Sequence, residues 1–397
     1  MQSETPQPLV VFLYAPSWNE VTRLSKHHLA LCFSEHSKVL YIEAPIHPLT
    51  FLTRPRAALQ HLLQMLAGPR EIHPNLWAHT FIYPLLFHGI TALTSSLVIN
   101  TINQYFIRSF LRADIKSFGD QKPILIVGHA HAEPIIESLN PSICIYHCSD
   151  EFSSVTGFPT TYMLLEQRLM KVCDAIIATS EALAQNKRKF HDRVVTISNG
   201  ADFKHFYAAA LEHTHIPEDL RGIPNPVIGF IGSIFEWLDY ELIEWIAREC
   251  PQWSFVFIGP QVVSVDSEME NLPNVHFLGG RPYNEVPAYL QGFDVAWIPF
   301  AKHDVTTNAS PIKFYEYLAA GRPVVATRLP ELAEFESVAE LASRPDEFLA
   351  AIEIALSDDS TERKKARMET ARQHSWESRF DAVKELLREL ESEELFV

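Results

Sequence analysis

Short apolar runs alternate with helix-length segments along this chain of 397 residues, and the whole alternation occurs twice. The apolar runs are nearly continuous, as expected of strands that are covered on both faces of a parallel sheet. Between them, for example over residues 21–35 and 161–173, apolar side chains recur three and four positions apart, which predicts crossover helices. The predicted strands lie at residues 9–16, 38–45, 123–129, 142–150, 174–181 and 194–200, and again at 227–232, 254–259, 275–279, 295–300 and 323–327.

The stretch "LEHTHIPEDLRGIPNP", residues 211–226, is polar and contains prolines, and it interrupts the alternation. A chain of this length also favours two hydrophobic cores over one. The sequence therefore predicts an α/β protein with two Rossmann-like, doubly wound parallel-sheet domains at residues 1–210 and 225–375, followed by a C-terminal helix at 376–397. Ligands of such sheets bind beyond the carboxyl ends of the strands, so we expect the site in a central cleft that both domains face.

The composition excludes several other classes of protein. The net charge of −16 argues against a nucleic-acid partner, because phosphate backbones bind to basic surfaces. The first residues, "MQSETPQP", do not resemble a cleavable signal peptide, and the apolar run that follows has only the length of a strand. The five cysteines are odd in number and lack the spacing of a metal site, which is typical of reduced thiols in a cytoplasmic protein.

A membrane contact is harder to exclude. Residues 81–100 are long enough to cross a bilayer, but a proline, a glycine, a histidine and several hydroxyl side chains make a spanning helix unfavourable. Shortly afterwards Arg108, Arg112 and Lys116 recur every four residues, which places three cations on one helical face. Two interpretations stay open: an ordinary core element with a solvated basic face, or a patch that rests peripherally on an anionic membrane or faces an acidic substrate.

The segment "NASPIKFYEYLAAGRPVVAT", residues 308–327, predicts a helix, a turn and a buried strand. Ser310 is a good N-cap, Pro311 suits the first helical position, and Gly321 is suited to end the helix in the left-handed conformation. The helix N-terminus carries free amides, and Lys313 lies within one turn of it, so this end attracts anions and phosphate above all. The alternative is a capped core helix with a surface lysine.

Neither a G-x-G-x-x-G fingerprint nor a Walker A loop occurs in the chain. Six segments, in order and within residues 9–380, resemble the GT-B glycosyltransferases related to family 4. The resemblance implies an N-terminal acceptor-binding domain and a C-terminal domain that binds a nucleotide-sugar donor. The segments are "YHCSDEF", "LEQRLMKVCDAIIATSEALAQ", "ISNGADFKHF", "IGFIGSIFEWLDYELI", "LGGRPYNEVPAYLQGFDVAWIPF" and "NASPIKFYEYLAAGRPVVAT".

In this family two glutamates with seven residues between them hold the donor. The second matches Glu316, which the resemblance implies contacts the ribose hydroxyls, whereas the first position is occupied by Asn308. An asparagine still hydrogen-bonds a hydroxyl, but it supplies no carboxylate beside the transferred sugar. The arginine and lysine that often follow Gly232 are also absent, so we expect Lys313, together with Arg281, to carry most of the charge that faces the pyrophosphate.

The loop that replaces those cations reads "GSIFEW", and Gly232 at its start would let a nucleotide approach the backbone. Ser233 follows in the same loop, and Trp237 either shapes the donor pocket or belongs to the core. Lys313 and Glu316 are interpreted as donor ligands, with a surface ion pair three residues apart as the alternative.

In the first domain the candidate residues follow strands. Trp18 and Asn19 follow the first strand and Arg23 is expected to open its helix, which indicates an acceptor-contacting loop. The segment "GHAHAEP" places His129 and His131 at the end of another strand. A metal site is not expected there, because no third ligand is evident and GT-B enzymes generally need no bound metal.

Asp150 ends the strand "SICIYHCSD" and is the best candidate for a general base, with the neighbouring Glu151 expected to point elsewhere. His129 is the alternative base, since its ordinary pKa lies nearer neutrality. A third interpretation is that Asp150 only caps a turn or orients His129. A retaining transfer would need no protein base, and the sequence leaves inversion and retention open.

The sequence therefore predicts a cytoplasmic, metal-independent glycosyltransferase of the hexosyltransferase type, acting in bacterial polysaccharide or glycolipid assembly. Its co-substrate would be a nucleoside-diphosphate sugar, with no further cofactor, and its acceptor a glycan or a lipid-linked glycan. Two alternatives remain: a nucleotide-sugar 2-epimerase of the same fold, and a non-catalytic regulatory partner that binds the sugar nucleotide or the glycan. Release of nucleoside diphosphate, formation of an epimer, or neither would distinguish the three.

Overall fold

The computed structural model describes residues 8–20, 22–85, 96–151, 160–211, 215–263, 267–357 and 359–394. The chain forms two compact units. The N-terminal unit contains the described residues up to Glu20, Leu24–Ile197 and the chain from Phe380 onward. The C-terminal unit contains Thr22, Arg23 and Ser198–Arg379.

The N-terminal unit is built on an eight-stranded sheet of order β3-β4-β2-β1-β5-β6-β7-β8. All neighbours pair in parallel except β3 and β4, which are antiparallel. Every residue of the central strand β1 is buried, as in a sheet covered on both faces. The strands are β1 Leu9–Ala15, β2 Lys38–Glu43, β3 Arg70–His73, β4 Leu76–His79, β5 Ile124–Val127, β6 Ile143–Cys148, β7 Ala175–Ala178 and β8 Val194–Thr196.

The helices predicted at residues 21–35 and 161–173 have counterparts in this unit. A left-handed residue, Tyr14, interrupts the pairing of β1 with β2 and directs the chain into the loop that precedes α1. The helices are α1 Ser25–Ser34, α2 Thr50–Thr53, α3 Pro55–Ala67, α4 Leu97–Ser117, α5 Ile136–Leu139, α6 Thr160–Val172 and α7 Glu181–Lys187, with a 3₁₀ helix at Ala130–Ile135.

The C-terminal unit is built on a six-stranded, fully parallel sheet of order β11-β10-β9-β12-β13-β14. Its strands are β9 Val227–Ile231, β10 Ser254–Ile258, β11 Val275–Gly279, β12 Val295–Ile298, β13 Val324–Thr327 and β14 Glu340–Ala342. Its α-helices are α8 Phe203–Tyr207, α9 Glu218–Arg221, α10 Tyr240–Glu249, α11 Ser267–Glu270, α12 Val286–Gln291, α13 Asp304–Thr307, α14 Ile312–Ala319, α15 Pro345–Ser357 and α16 Thr361–Gln373. Short 3₁₀ helices lie at Ala208–Ala210, Tyr283–Glu285 and Pro330–Phe335.

The predicted fold class of two α/β units with parallel sheets is confirmed, and each predicted strand has a counterpart. The short strands β3, β4 and β14 were not predicted. β3 reads REIH and is mostly exposed at the edge of the sheet, whereas β4 reads LWAH, an apolar run of only three residues, so neither has the longer apolar run that marks a buried strand.

The stretch at 211–226, predicted as the linker, does not separate the two units, because the boundary falls between Ile197 and Ser198. Its described residues include α9, where Leu220 is buried in the core of the C-terminal unit. Proline content and polarity suggested a linker, but one buried leucine anchors the segment to the core. The C-terminal helix, α17, spans Trp376–Glu394, and its residues from Phe380 onward belong to the N-terminal unit.

Among the described residues no helix is both long enough and apolar enough to cross a membrane. The segment 81–100 lies partly outside the described ranges. In its described part, Phe81 and Tyr83 are buried in the core of the N-terminal unit.

Candidate functional site

Two glycines at the carboxyl ends of β9 and β10 form the floor of a cleft in the C-terminal unit. The Gly232 amide donates to the Ile258 carbonyl oxygen at 2.9 Å. A Cβ added to Gly259 would lie 1.8 Å from the Gly232 carbonyl oxygen, so a side chain is sterically excluded there. The walls of this cleft include Arg281, Tyr283 and Lys313.

Gly259 was missed in the sequence analysis, although it follows its strand in the same way as Gly232. We expect Gly259→Ala to lower the free energy of unfolding by about 1–3 kcal/mol, because the added carbon overlaps backbone that must shift. Urea denaturation measures this change. Gly222→Ala is the matched control, since the nearest atom to an added Cβ there is 3.9 Å away and its φ is −76°. Equal stability of the two variants would contradict the proposed backbone contact.

Lys313 and Glu316 lie one turn apart on α14, and Lys313 Nζ donates to Glu316 Oε2 at 2.8 Å. The Glu316 side chain is only 1% exposed, so this is not a surface ion pair. Within the part of the chain that the structure describes, Glu316 Oε1 is buried without a hydrogen-bond partner. Because a buried carboxylate oxygen is costly to leave unpaired, this atom is suited to accept hydrogen bonds from a ligand.

The helix that carries this pair begins later than predicted. The N-cap of α14 is Pro311, not Ser310, and no side chain caps the helix. Ser310 is buried one residue earlier, and its carbonyl oxygen accepts a hydrogen bond from Asn199 Nδ2 at 2.6 Å. The role of Ser310 as N-cap is therefore wrong: its backbone is held by Asn199, and the helical turns start after the proline. Gly321 does adopt the left-handed conformation, with φ of +70°, as predicted.

Tyr283 forms one wall of the cleft and was not predicted. The imidazole of His205 stacks on its ring at 4.3 Å between centroids, and its hydroxyl donates to Asp202 Oδ2 at 3.3 Å. Burial raises the pKa of Tyr283, and the Glu316 carboxylate raises it further, which places the two side chains in one electrostatic environment. The guanidinium of Arg23 lies 5.3 Å from the centre of the Tyr283 ring.

Arg281 lines the cleft, but its charge is already engaged. Its Nη2 donates to Asp219 Oδ2 at 2.6 Å, and its Nε donates to the Tyr289 hydroxyl at 2.6 Å. The ion pair and the hydrogen bond with Tyr289 raise the pKa of Arg281 and keep it charged. Lys313 is likewise paired, with Glu316, so both cations of the cleft lining are held by a carboxylate before a ligand binds.

Some predicted donor residues do not line the cleft. Trp237 Nε1 donates to the Ser233 carbonyl oxygen at 3.1 Å, and the indole packs against Phe235 and the core of the unit. Asn308 ends α13, and its Nδ2 donates to the Asp304 carbonyl oxygen at 2.6 Å.

The cleft lining thus contains the predicted residues Gly232, Arg281 and Lys313. Glu316 is buried behind the lining and reaches the cleft through its ion pair with Lys313. The predicted residues outside the lining are Ser233, Trp237, Asn308 and Ser310.

In the N-terminal unit, Asp150 lies beyond the carboxyl end of β6, beside a buried cation. Lys26 on α1 donates from Nζ to Ser149 Oγ at 2.6 Å. Burial lowers the pKa of Lys26 to about 8, and the neighbouring Asp150 carboxylate opposes that change. The side chain of Asp150 reaches solvent, yet the surrounding protein raises the pKa of its carboxyl, and Lys26 opposes the rise. This arrangement offers an accessible carboxylate next to a positive charge.

His129 and His131 form an aromatic cluster with Tyr162. The two imidazole centroids are 4.4 Å apart, and Tyr162 packs edge-on against both rings. Burial lowers the pKa of His129 to about 4, with a further contribution from the charge of Lys26. The imidazole of His129 is therefore neutral at pH 7. Across the described ranges, no three His, Cys, Asp or Glu side chains are grouped to hold a metal ion.

Glu151 is buried and faces away from this cluster, toward α7. Its Oε1 accepts a hydrogen bond from Lys187 Nζ at 3.3 Å, and Lys187 also pairs with Glu166 at 3.0 Å. The Glu166 carboxylate accepts a hydrogen bond from the Tyr146 hydroxyl at 2.7 Å. Two carboxylates around one buried ammonium indicate a structural network, consistent with the expectation that Glu151 points elsewhere than Asp150.

The loop after β1 is held by residues that the sequence analysis did not select. Glu43 Oε1 accepts hydrogen bonds from the Trp18 amide at 2.8 Å and from Ser17 Oγ at 3.1 Å. His27 Nδ1 accepts from the Leu24 amide, so its Nε2 donates to the Ser17 carbonyl oxygen at 3.0 Å. Glu43 could have been found from the sequence, because it lies near the end of a predicted strand, in a position similar to that of Asp150.

Trp18 and Asn19 border an open cavity that the C-terminal end of α3 also lines. Its polar lining includes Glu43, Gln64 and Thr80. Arg23 does not share this cavity: α1 begins at Ser25 after an N-cap at Leu24, so Arg23 does not open the helix as predicted, and it belongs to the C-terminal unit. The predicted acceptor loop is therefore divided between the two units.

Comparison with known proteins places these features in a family. The sequence profile of the family described as Glycosyl transferases group 1 matches residues 225–358. The TuaH protein of Bacillus subtilis (strain 168), a glycosyltransferase assigned by name to teichuronic acid biosynthesis, is 31% identical over 262 residues. That match covers 60% of this chain and 65% of TuaH, so the chain spans slightly less than two thirds of the length of this relative.

Solved structures resemble the whole chain. Sucrose-phosphate synthase from Thermosynechococcus elongatus superposes with a TM-score of 0.70 at 16% identity, covering 97% of this chain and 99% of the other. The HepE protein of Anabaena, in complex with UDP and glucose, gives a TM-score of 0.65 at 14% identity, covering 96% and 99%. A trehalose-6-phosphate protein from E. coli bound with UDP-2-fluoro glucose gives 0.66 at 11% identity, covering 96% and 98%. The chain therefore has the GT-B fold, and its residues 225–358 match the profile of the group 1 glycosyl transferases.

Proposed function

We propose that this protein transfers a sugar from a nucleoside-diphosphate sugar to an acceptor hydroxyl. The observation that carries the proposal is the buried, unpaired Oε1 of Glu316 beside Lys313, in the part of the chain that the structure describes. A ribose offers two hydroxyl donors to such an oxygen, and the diphosphate offers negative charge to the ammonium. The group 1 profile and the uridine nucleotides in the two solved relatives support the same donor class.

Each residue of the cleft then has a separate task. Gly232 and Gly259 leave the backbone open to a diphosphate, and Lys313 neutralises part of its charge as the bond to the sugar breaks. Glu316 orients the nucleotide through the ribose. In an inverting transfer Asp150 would accept the proton of the attacking hydroxyl, while Lys26 keeps the carboxylate ionised. In a retaining transfer the donor phosphate would take that role.

The acceptor is proposed to be a glycan or a lipid-linked glycan in polysaccharide or glycolipid assembly. TuaH, which is 31% identical to this chain over 262 residues, is assigned by its name to teichuronic acid biosynthesis. This assignment supports the proposed class of pathway. The relation to family 4 stays a prediction. We also retain the prediction of a cytoplasmic protein that contacts the inner face of an anionic membrane through the helical face of Arg108, Arg112 and Lys116.

We propose that the transfer needs no metal ion and no organic cofactor. Lys313 and the amides at the start of α14 supply positive charge for the diphosphate, the role that a divalent cation has in other transferases. Turnover is expected to be the same in EDTA and in Mg²⁺. Loss of activity in EDTA that Mg²⁺ restores would contradict this part of the proposal.

The test is to incubate the protein with labelled sugar nucleotides, with and without extracted glycan and glycolipid acceptors. Acceptor-dependent release of nucleoside diphosphate, with label in the acceptor, is the expected result. Formation of an epimerised sugar nucleotide without acceptor would favour the 2-epimerase. Binding of the nucleotide with neither product would favour the regulatory alternative.

A further inference from the structure

The helix α3 carries its leucines on the outside. Leu59, Leu63 and Leu66 recur at intervals of four and three residues, so they lie on one helical face. Leu63 is 60% exposed and Leu66 is 69% exposed. The single fully buried residue of this helix is Ala58. Leu52 on α2, just before α3, is also exposed. A surface helix of a water-soluble protein normally has the opposite arrangement, with its leucines turned to the core.

The helix α4 also carries apolar side chains on its outside. Its buried face combines the aliphatic Ile107, Leu111 and Ile115 with polar residues that have hydrogen-bond partners inside the unit, namely Asn100, Asn103, Gln104 and Asp114. Its outer face bears both apolar side chains and the cations Arg112 and Lys116. The exposed apolar side chains are Val98, Ile102, Tyr105, Phe106 and Phe110.

One buried side chain links the two helices. His79 at the end of β4 bonds through Nδ1 to Asp114 Oδ2 of α4 at 2.6 Å and through Nε2 to the Met65 carbonyl oxygen of α3 at 3.0 Å. Both helices of the N-terminal unit thus contact the same imidazole. Their outer leucines and aromatic rings are here together called the α3–α4 surface.

This surface is basic in an acidic protein. Residues 49–70 contain three arginines and no carboxylate, and residues 97–118 contain three cations and one carboxylate. That carboxylate, Asp114, is buried and bonded to His79. The exposed charges around the apolar side chains are thus positive, although the whole chain has a net charge of −16. The cations are Arg54, Arg56, Arg70, Arg108, Arg112 and Lys116.

We propose that the α3–α4 surface docks on an anionic lipid bilayer, with the leucines inserted among the acyl chains and the cations at the head groups. Anionic lipid satisfies both properties of the surface at once, apolar contact and opposite charge. A second copy of the chain would cover the apolar side chains but would bring like charges together, which disfavours a symmetric dimer. This inference goes beyond glycosyl transfer and does not depend on it.

The test is sedimentation of the full-length protein with vesicles of phosphatidylglycerol and, separately, of phosphatidylcholine. Wild type is expected to bind the anionic vesicles and to bind the zwitterionic vesicles much more weakly. The double variant Leu63→Gln/Leu66→Gln should lower the partition coefficient by about 10- to 100-fold, because two leucines no longer enter the acyl region. Reversing the charges of Arg112 and Lys116 should lower it by on the order of fivefold per cation at low salt.

The matched control is Met163→Gln/Leu164→Gln, which changes two exposed apolar residues on α6 of the same unit. This control should bind vesicles as wild type does, and circular dichroism should show that both double variants are folded. Wild type that stays in the supernatant, or equal binding by the two double variants, would overturn the proposal. So would analytical ultracentrifugation that shows a dimer which Leu63→Gln/Leu66→Gln converts to a monomer, with no vesicle binding by wild type.

Discussion

Replacing Asp150 with asparagine is expected to reduce turnover by about 10²–10⁴-fold while donor affinity stays nearly unchanged. Asparagine keeps the shape and the hydrogen bonding of the side chain but removes its basicity. The structure places this carboxyl beyond β6, accessible to solvent and next to the ammonium of Lys26. Steady-state kinetics with the acceptor identified in the product assay measures the effect.

The pH profile gives a second readout for Asp150. The surrounding protein raises the pKa of this carboxyl, and the base must be ionised, so wild-type turnover should fall as the pH drops through that raised pKa. Asp150→Asn should not show this decrease in turnover at acidic pH. Asp192→Asn, which changes an exposed aspartate before β8, is the matched control and should retain wild-type turnover. Near-normal turnover of Asp150→Asn would remove the residue as base and direct attention to His129 or to a retaining mechanism.

Replacing Lys313 with alanine is expected to weaken nucleoside diphosphate binding by about 1.5–3 kcal/mol, or roughly 10- to 150-fold in Kd. The ammonium lines the cleft and is held by Glu316 at 2.8 Å, so its position is defined before the ligand arrives. Isothermal calorimetry measures the affinity, with UDP first because two solved relatives hold uridine nucleotides. Lys313→Arg keeps the charge and should retain most of the affinity.

Two further measurements separate ligand binding from folding. Without Lys313 the Glu316 carboxylate is buried without its ion pair, so thermal unfolding of the alanine variant must be recorded alongside the calorimetry. Lys302→Ala, at an exposed lysine of the same unit, is the control and should bind UDP normally. Glu316→Gln should cost less than Lys313→Ala, and its penalty should shrink with a 2′-deoxyribose donor. Unchanged diphosphate affinity in a folded Lys313→Ala protein would remove this site from the proposal.

Much of the fold was predictable from the sequence because its signals are local. Continuous apolar runs mark strands that are buried on both faces, and this property depends on only five or six neighbouring residues. The turn at Gly321 was predictable for the same reason, since a left-handed residue after a helix favours glycine. The pairing of Lys313 with Glu316 followed from helical periodicity, which places residues three apart on one face.

Other features depended on contacts between distant parts of the chain. The linker prediction failed because the burial of Leu220 is a property of the core, not of the segment around it. The pairing of Arg281 with Asp219, at a separation of 62 residues, could not be predicted from the sequence. Gly259 became informative only through its distance to the Gly232 carbonyl oxygen.

By itself the sequence determined the two parallel-sheet units, the order of their strands along the chain and the helix that carries Lys313 and Glu316. Only the tertiary structure decided which side chains meet: Lys26 beside Asp150, His79 between α3 and α4, and the leucines of α3 on the outside. The physical reason is that backbone conformation responds to neighbours in sequence, whereas burial, pairing of charge and surface polarity are set by the packing of segments far apart in the chain.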